Sequence, residues 1–236
     1  MKKNSAPGRP FKHSSVDWAR LCRKLSERYG DPLHGNYADP LDELIYIVLS
    51  AKTRLASLGP LFEELKSQCP DWADVLKLGK TRFRKLIRPL GLANIRTTQI
   101  FGILRKVQRD RGEVSLQFLD VMADSDVETY LTSLPGVGLK TARCVMLYSL
   151  GRQSFPVDTH TLRLFHYLGI TSKRLRHDTA QDVLQALVPG RYRFKLHVNI
   201  VAHGQQTCLP RQPKCDECVV RSLCHHRTEK EPTKSL

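Results

Sequence analysis

The chain has 236 residues, 38 of them basic and 23 acidic, so its net charge is +15 at pH 7. This length allows a sizeable core in one domain or in two small ones. The positive surplus favours a polyanionic partner, nucleic acid above all, over a surface that is merely well solvated. Since no apolar run reaches transmembrane length and the basic segment 1–15 lacks the apolar stretch of a signal peptide, we expect a cytoplasmic protein with no membrane partner.

Apolar residues recur at helical spacing along most of the chain, so we predict an all-α fold. Residues 1–15 are small, polar and basic, and we predict them to be disordered. The segment 44–49 is apolar nearly all round, which a buried strand would also explain, but the Asp39-Pro40 start favours a central helix. Further helices are predicted at 18–29, 60–68, 72–78, 82–87, 159–168, 179–187 and 193–204. A long helix after residue 94 carries Ile95, Ile100, Ile103, Leu104 and Val107.

A short stretch rich in glycine separates two helical patterns near the middle of the chain. Pro135, Gly136 and Gly138 are costly inside a helix, whereas apolar residues keep helical spacing before and after them, so we predict a helix, a tight hairpin and a second helix. Backbone N–H groups in such a turn lie at the positive end of the second helix. This arrangement suits a phosphate group.

Basic residues dominate the segment 80–111, in which Asp110 is the lone acid. Runs of charge are commonly solvated faces, but this imbalance beside a predicted turn at 91–94 favours a path for phosphate groups. The basic residues are Lys80, Arg82, Arg84, Lys85, Arg88, Arg96, Arg105, Lys106, Arg109 and Arg111.

The seven cysteines fall into two groups, and neither indicates disulfide bonds in a cytoplasmic chain. Cys22, Cys69 and Cys144 have apolar neighbours and are predicted core residues. The other four have the spacing C-x6-C-x2-C-x5-C, and thiolates so close together need a metal to offset their repulsion. With one short-spaced pair instead of two, the pattern favours an iron-sulfur cluster over zinc, and either metal over a metal-free loop. The four candidate ligands are Cys208, Cys215, Cys218 and Cys224.

Lys140 and Asp158 are candidate catalytic residues. The helix dipole and the apolar hairpin both disfavour a positive charge on Lys140, and a nucleophile needs the neutral amine. Asp158 precedes the next predicted helix and can take a proton or stabilise positive charge on a sugar. Each has a simpler alternative role: Lys140 can contact a phosphate, and Asp158 can cap the helix that starts at Thr159.

The chain resembles the helix-hairpin-helix DNA glycosylase superfamily, in particular its endonuclease III family. The similarity lies in LPGVGLKTA at 134–142, VDTH at 157–160 and the C-terminal cysteine pattern, and it extends from about Trp18 to Cys224. It implies a bilobal all-α fold, with a six-helix domain at 34–152 and a second lobe formed by 1–33 and 153–236 that holds a [4Fe-4S] cluster. The resemblance further implies a monomer associated with the nucleoid, with DNA bound between the lobes.

The resemblance also implies roles for individual residues. Lys140 attacks the deoxyribose C1′, expels the damaged base and forms a Schiff base, and elimination of the 3′ phosphate then nicks the strand. Asp158 stabilises charge on the sugar and moves protons, and the four cysteines hold the cluster. Leu92, in the motif GLANIR, enters the base stack as a wedge. The residues expected to contact DNA are Gly136, Val137, Gly138, Thr141, Leu92, Lys52, Arg211 and Lys214.

The sequence departs from the family pattern after the central helix. Where the family has LLSAQATD, this chain has VLSAKTRL, so Lys52 replaces the glutamine that fills the gap left by the flipped base, and Leu55 replaces the aspartate. A lysine can occupy the same gap, but it only donates hydrogen bonds, whereas glutamine also accepts them. Ala93 stands where the family has a larger residue beside the wedge.

Three hypotheses about function follow from these observations. The first is a bifunctional DNA glycosylase and abasic-site lyase of base excision repair, which removes oxidised pyrimidines from double-stranded DNA. The second is an enzyme of the same fold that acts on alkylated or deaminated bases, or on abasic sites alone. The third is a non-catalytic protein that binds damaged DNA, for which the hairpin and the basic run would suffice.

Overall fold

The computed structural model describes residues 16–33, 37–53, 55–172 and 174–226, and the predicted disorder of 1–15 lies outside them. These ranges contain helices and no strand, which confirms the all-α fold. None of the described helices is long and apolar enough to cross a membrane. The α-helices are α1 (Trp18–Tyr29), α2 (Pro40–Ser50), α3 (Leu55–Gln68), α4 (Trp72–Leu78), α5 (Lys80–Ile87), α6 (Ala93–Arg111), α7 (Asp124–Ser133), α8 (Leu139–Tyr148), α9 (Thr159–Tyr167), α10 (His177–Leu187) and α11 (Gly190–Gln206).

The chain divides into two compact units. One is Leu33–Pro156, which contains α2 to α8, and the other combines Met1–Pro32 with Val157–Leu236 and contains α1 and α9 to α11. The domain limits predicted at 34 and 152 stay a prediction.

Helix α2 is the centre of the unit Leu33–Pro156. Asp39 caps it by accepting hydrogen bonds from the N–H groups of Leu41 and Asp42, both at 2.9 Å. Pro40 occupies the first turn, where its missing N–H costs nothing. The residues from Leu44 to Leu49 are all buried, so the all-round apolar pattern belongs to a buried helix and the alternative of a strand is wrong.

Helix α3 differs from its prediction. The sequence predicts a helix at 60–68, but α3 starts at Leu55 and continues through Gly59 and Pro60. A proline removes one backbone hydrogen bond from a helix. Leu58 and Phe62 are fully buried on either side of Pro60, and the burial of their side chains offsets that loss.

Helix α6 confirms four of its five predicted apolar positions as core residues. Ile95 is the exception, because it lies in the first turn and is 66% exposed. The three cysteines predicted to be core residues, Cys22, Cys69 and Cys144, are all buried.

The second unit is built from α1, α9, α10 and α11. Helix α1 packs on α11, and α11 packs on α9. The rings of Trp18 and Phe165 lie 5.9 Å apart, and the Tyr29 hydroxyl lies 2.8 Å from His203 Nδ1 on α11. These contacts join α1 to α9 and α11, the helices that bear Phe165 and His203.

Candidate functional site

The hairpin between α7 and α8 has the predicted form. Gly136 has φ of +70°, a left-handed conformation that favours glycine, and both Gly136 and Gly138 are exposed. The Val137 N–H closes the turn on the Leu134 carbonyl at 3.1 Å, and the Val137 side chain is buried. Gln99 on α6 donates to the Gly136 carbonyl at 3.0 Å, so the turn is held against α6.

Helix α8 begins without a side-chain cap. The N-cap residue is Gly138, which has no side chain to accept a hydrogen bond from the first turn of the helix. Lys140 and Thr141 follow in the first turn and are both partly exposed. The first N–H groups of a helix have no partner within it, so this helix start can bind a phosphate oxygen.

A buried carboxylate on α2 interacts with the charge of Lys140. Glu43 is only 2% exposed, α2 packs on α8, and Glu43 Oε2 accepts the Tyr37 N–H at 2.7 Å. Burial raises the pKa of the Glu43 carboxyl to about 7, while the Tyr37 N–H and the positive charge of Lys140 act in the opposite direction. Sequence analysis missed Glu43, because it follows Asp42 in the first turn of α2, where exposed acidic residues are common.

We expect a Glu43→Gln variant to gain stability relative to wild type as the pH rises. The carboxyl ionises near 4.5 when unfolded and near 7 when folded, so across this window the folded state keeps a proton that the unfolded state has released. Wild-type stability therefore falls as the pH rises through the window, by about 3 kcal/mol, and the variant lacks this loss. Urea unfolding of both proteins below pH 4.5 and above pH 7 measures the effect. A free-energy difference between them that is independent of pH would contradict the prediction.

Asp158 belongs to the other unit, where it caps α9. Its Oδ1 accepts a hydrogen bond from the Thr161 N–H at 2.7 Å, so Asp158 does have the simpler of its two predicted roles, that of a helix cap. Burial raises the pKa of the Asp158 carboxyl, but His197, the Thr161 N–H and His160 outweigh burial and hold the pKa below its usual range. Asp158 is therefore a carboxylate at neutral pH, as either role requires.

Arg163 connects α9 to the first cysteine of the C-terminal loop. Its Nη2 donates to the Cys208 carbonyl at 2.6 Å and to the Gly204 carbonyl at 3.2 Å, and lies 3.1 Å from His160 Nδ1. A Cβ atom on Gly204 would lie 2.3 Å from His160 Nδ1, so α9 and α11 approach this closely because Gly204 has no side chain. The helix that Asp158 caps is thus fixed to the cysteine loop.

The four predicted metal ligands line one pocket, together with apolar side chains. Cys208 is buried and the other three cysteines are partly exposed. Burial and the charges of the other three cysteines raise the pKa of the Cys218 thiol to about 11, so ionising the group requires a cation. A four-thiolate donor set in an apolar pocket fits an iron-sulfur cluster. In the described ranges, no three His, Cys, Asp or Glu side chains are spaced to hold a single metal ion. The pocket is also lined by Leu164, Tyr167, Val220 and His226.

A buried histidine contacts one of these cysteines. His203 Nε2 lies 3.8 Å from Cys218 Sγ, and the Tyr29 hydroxyl lies 2.8 Å from both His203 Nδ1 and Thr207 Oγ1. Burial and the Arg163 charge lower the pKa of His203 to about 4, so its ring is neutral at neutral pH. Arg211 and Lys214, the predicted DNA contacts of this loop, are exposed.

The predicted wedge and gap residues are both exposed. Leu92 is 49% exposed at the N-terminus of α6, and Lys52 is exposed just after α2. Leu92 and Ile95 line one groove with Arg84, Lys85 and Arg88, whose side chains are exposed on and after α5. One member of the predicted phosphate path does not belong to it, because Arg96 is 3% exposed and bonded to backbone carbonyls.

Comparison with known families identifies two matches. A family described as "HhH-GPD superfamily base excision DNA repair protein" matches residues 45–189, more than half of the chain, and includes the hairpin and the VDTH motif. The "Iron-sulfur binding domain of endonuclease III" matches residues 208–224, which begin at Cys208 and end at Cys224.

Individual proteins are also similar to this chain in sequence or in structure. The Arabidopsis thaliana protein "Putative DNA glycosylase At3g47830" is 33% identical over 70% of this chain, which spans 56% of that relative's length. Endonuclease III of Treponema pallidum is 31% identical over 77% of this chain and 81% of its own. The structure of a non-covalent endonuclease III–DNA complex has the same fold, with a TM-score of 0.78 at 21% identity, over 92% of this chain and 99% of that one.

Proposed function

The chain belongs to the HhH-GPD superfamily of base excision DNA repair proteins and, within it, to the endonuclease III family, and on this basis we propose that it is a bifunctional DNA glycosylase and abasic-site lyase. The observation that carries the proposal is Lys140. It stands in the first turn of α8, directly after a glycine hairpin that can bind a phosphate, and binding alone does not require an amine at that position.

The proposed reaction uses Lys140 as the nucleophile. Its neutral amine attacks C1′ of the damaged nucleotide, the C1′–N bond breaks, and the base leaves with the bonding electrons and takes up a proton. The ammonium formed in this attack loses one proton, the C1′–O4′ bond then breaks with O4′ taking up a proton, and a protonated Schiff base forms between Lys140 and C1′. Removal of a C2′ proton then expels the 3′ phosphate, and water releases Lys140 from the cleaved strand.

Asp158 is the proposed partner of Lys140 in this reaction. A carboxylate can stabilise the positive charge that develops on the sugar and can accept a proton in the elimination step. The lowered pKa of Asp158 keeps it ionised at neutral pH, which supports the charge-stabilising role.

The hairpin and the groove beside α5 are the proposed contacts to the DNA backbone. The exposed turn at Gly136 and Gly138, with Thr141 in the first turn of α8, offers N–H groups to a phosphate. Arg84, Lys85 and Arg88 offer positive charge to the strand. The proposed ligand is double-stranded DNA with one damaged nucleotide, bound by one copy of the chain.

The proposed cofactor is a [4Fe-4S] cluster held by Cys208, Cys215, Cys218 and Cys224. When bound, it supplies positive charge that lets the four thiols ionise, and it closes the loop that carries Arg211 and Lys214. Arg163 and His203 provide hydrogen bonds to the loop and to Cys218.

The proposed substrates are oxidised pyrimidines. A second candidate, a shifted base preference, is favoured by Lys52: its ammonium group only donates hydrogen bonds, so it pairs with acceptor atoms of the orphaned base, and its charge also attracts a phosphate.

A panel of duplexes tests these proposals, each with a single abasic site, thymine glycol, dihydrouracil, uracil, alkylated purine or oxidised guanine. Strand nicking and borohydride trapping of a covalent complex are measured on each. We expect both on the abasic site, thymine glycol and dihydrouracil. Trapping on the abasic site together with another base would support the shifted preference. Absence of any covalent complex would overturn the proposed lyase.

A further inference from the structure

Two loops of the unit Leu33–Pro156 hold exposed side chains on strained backbone. Lys52 has φ of +59° and Leu92 has φ of +52°, and neither is a glycine. Residues with a Cβ atom adopt this left-handed conformation at a cost, and they keep it only where the surroundings impose it. The conformation at Leu92 also starts α6, because the Leu92 carbonyl accepts the Arg96 N–H at 3.0 Å.

One buried side chain is bonded to both loops. Arg96 Nη1 donates to the carbonyls of Leu90 and Gly91, each at 2.9 Å, directly before Leu92. Arg96 Nη2 donates to Thr53 Oγ1 at 2.7 Å and to the Ala51 carbonyl, on either side of Lys52. One terminal nitrogen of the planar guanidinium therefore bonds the loop of Leu92, and the other bonds the loop of Lys52.

Thr53 completes the connection between the loops. Its hydroxyl accepts from Arg96 and donates to the Leu90 carbonyl at 3.2 Å. Both terminal nitrogens of Arg96 thus form hydrogen bonds, and the residue is 3% exposed, so it is not placed to contact a phosphate. A lysine has one nitrogen and cannot bond the two loops with the same fixed geometry.

We propose that Arg96 is a positioning residue. It holds the loops of Lys52 and Leu92 in a fixed relative position, so that the two side chains act together to extrude a nucleotide from the DNA stack. This inference rests on the proposed function, since it needs a flipped base. Leu92 fills the stack as the wedge and Lys52 enters the vacated gap. Because both depend on one guanidinium, a change at Arg96 displaces both side chains together.

The test compares two substrates of the same enzyme. A paired damaged base must be unstacked before Lys140 reaches its sugar, whereas an abasic nucleotide has no base to unstack. We expect Arg96→Met to slow removal of a paired thymine glycol by about 10²-fold, as a displacement of about 1 Å in a catalytic assembly does. Single-turnover cleavage of an abasic duplex should change by less than about threefold, as for a substitution away from the reacting groups. Arg96→Lys should fall between Arg96→Met and wild type.

Fluorescence of 2-aminopurine placed opposite the lesion measures extrusion of the damaged nucleotide independently of bond cleavage. Wild type should raise this fluorescence on binding, because the orphaned base loses its neighbour, and Arg96→Met should not. Arg84→Met is the matched control, since it removes an exposed arginine from the same groove and should affect both substrates equally. Thr53→Val removes the hydroxyl that bonds both Arg96 and the Leu90 carbonyl. Like Arg96→Met, it should slow removal of thymine glycol more than cleavage of the abasic duplex. It therefore tests the same inference if Arg96→Met does not fold.

Two results separate the inference from the proposed function. If folded Arg96 and Thr53 variants slow both substrates equally, or leave the fluorescence change intact, the positioning role is wrong. If the wild-type enzyme cleaves neither substrate, it is the proposed function that fails.

Discussion

Lys140→Ala is expected to abolish strand nicking and borohydride trapping while DNA binding is retained. The amine forms the covalent bond to C1′, and removal of a nucleophile costs orders of magnitude in rate, here at least about 10³-fold. Binding should weaken by less than about tenfold, because the loss of one charged contact costs about 1.4 kcal/mol or less. Single-turnover nicking of an abasic duplex and a titration with the same duplex measure the two effects.

Lys77→Ala is the control for this experiment. It removes an exposed lysine from the same unit, on α4, that is not among the proposed DNA contacts, and it should leave both binding and trapping intact. A Lys140→Ala enzyme that still forms the trapped complex would show that another amine is the nucleophile. A variant that loses binding and nicking together would favour the phosphate-contact role of Lys140.

Gly204→Ala is expected to destabilise the protein and to impair catalysis more than binding. An alanine usually stabilises a helix interior relative to glycine, by up to about 1 kcal/mol. At Gly204 the new Cβ would lie 2.3 Å from His160 Nδ1 and 2.6 Å from His160 Cβ, so α9 must move away from α11. Overpacking of this kind costs about 1–3 kcal/mol or more. The same movement shifts Asp158 at the start of α9, which costs about 10²-fold in rate per ångström.

Urea unfolding and single-turnover cleavage of Gly204→Ala measure these effects. The contact with His160 is tested by adding His160→Gly, which removes all three atoms that the new Cβ would meet. The double variant should recover stability relative to the sum of the two single changes, since residues in contact are not additive. Strictly additive free energies, or a Gly204→Ala protein as active as wild type, would show that the close approach is not needed.

Local sequence determined the elements that carry the chemistry. A tight turn with Gly136 and Gly138, flanked by apolar residues at helical spacing, has few alternatives to a hairpin, because the backbone preferences of glycine and proline act within a few residues. Four cysteines within one short segment likewise indicate a metal site without any knowledge of the fold. The predictions for α1, α2, α6 and the three core cysteines succeeded for the same reason.

The partners of individual residues were decided by tertiary structure. Arg96 is one of ten basic residues in a run and Ile95 is one of several apolar residues in a helix, and no local pattern separates the buried members from the exposed ones. Pro60 continues a helix because Leu58 and Phe62 find a core that the sequence pattern does not reveal. Burial depends on which distant segments pack together, and that information is absent from any short window.

The sequence by itself thus determined the fold class, the hairpin with Lys140 and the cysteine loop, because these follow from backbone preferences and ligand spacing. Tertiary structure alone decided that Arg96 bonds to two loops, that Glu43 is a buried carboxylate near the charge of Lys140, and that Gly204 lets α9 approach the helix before the cysteines. Each of these depends on contacts between residues far apart in the chain, where burial and close approach set the energy.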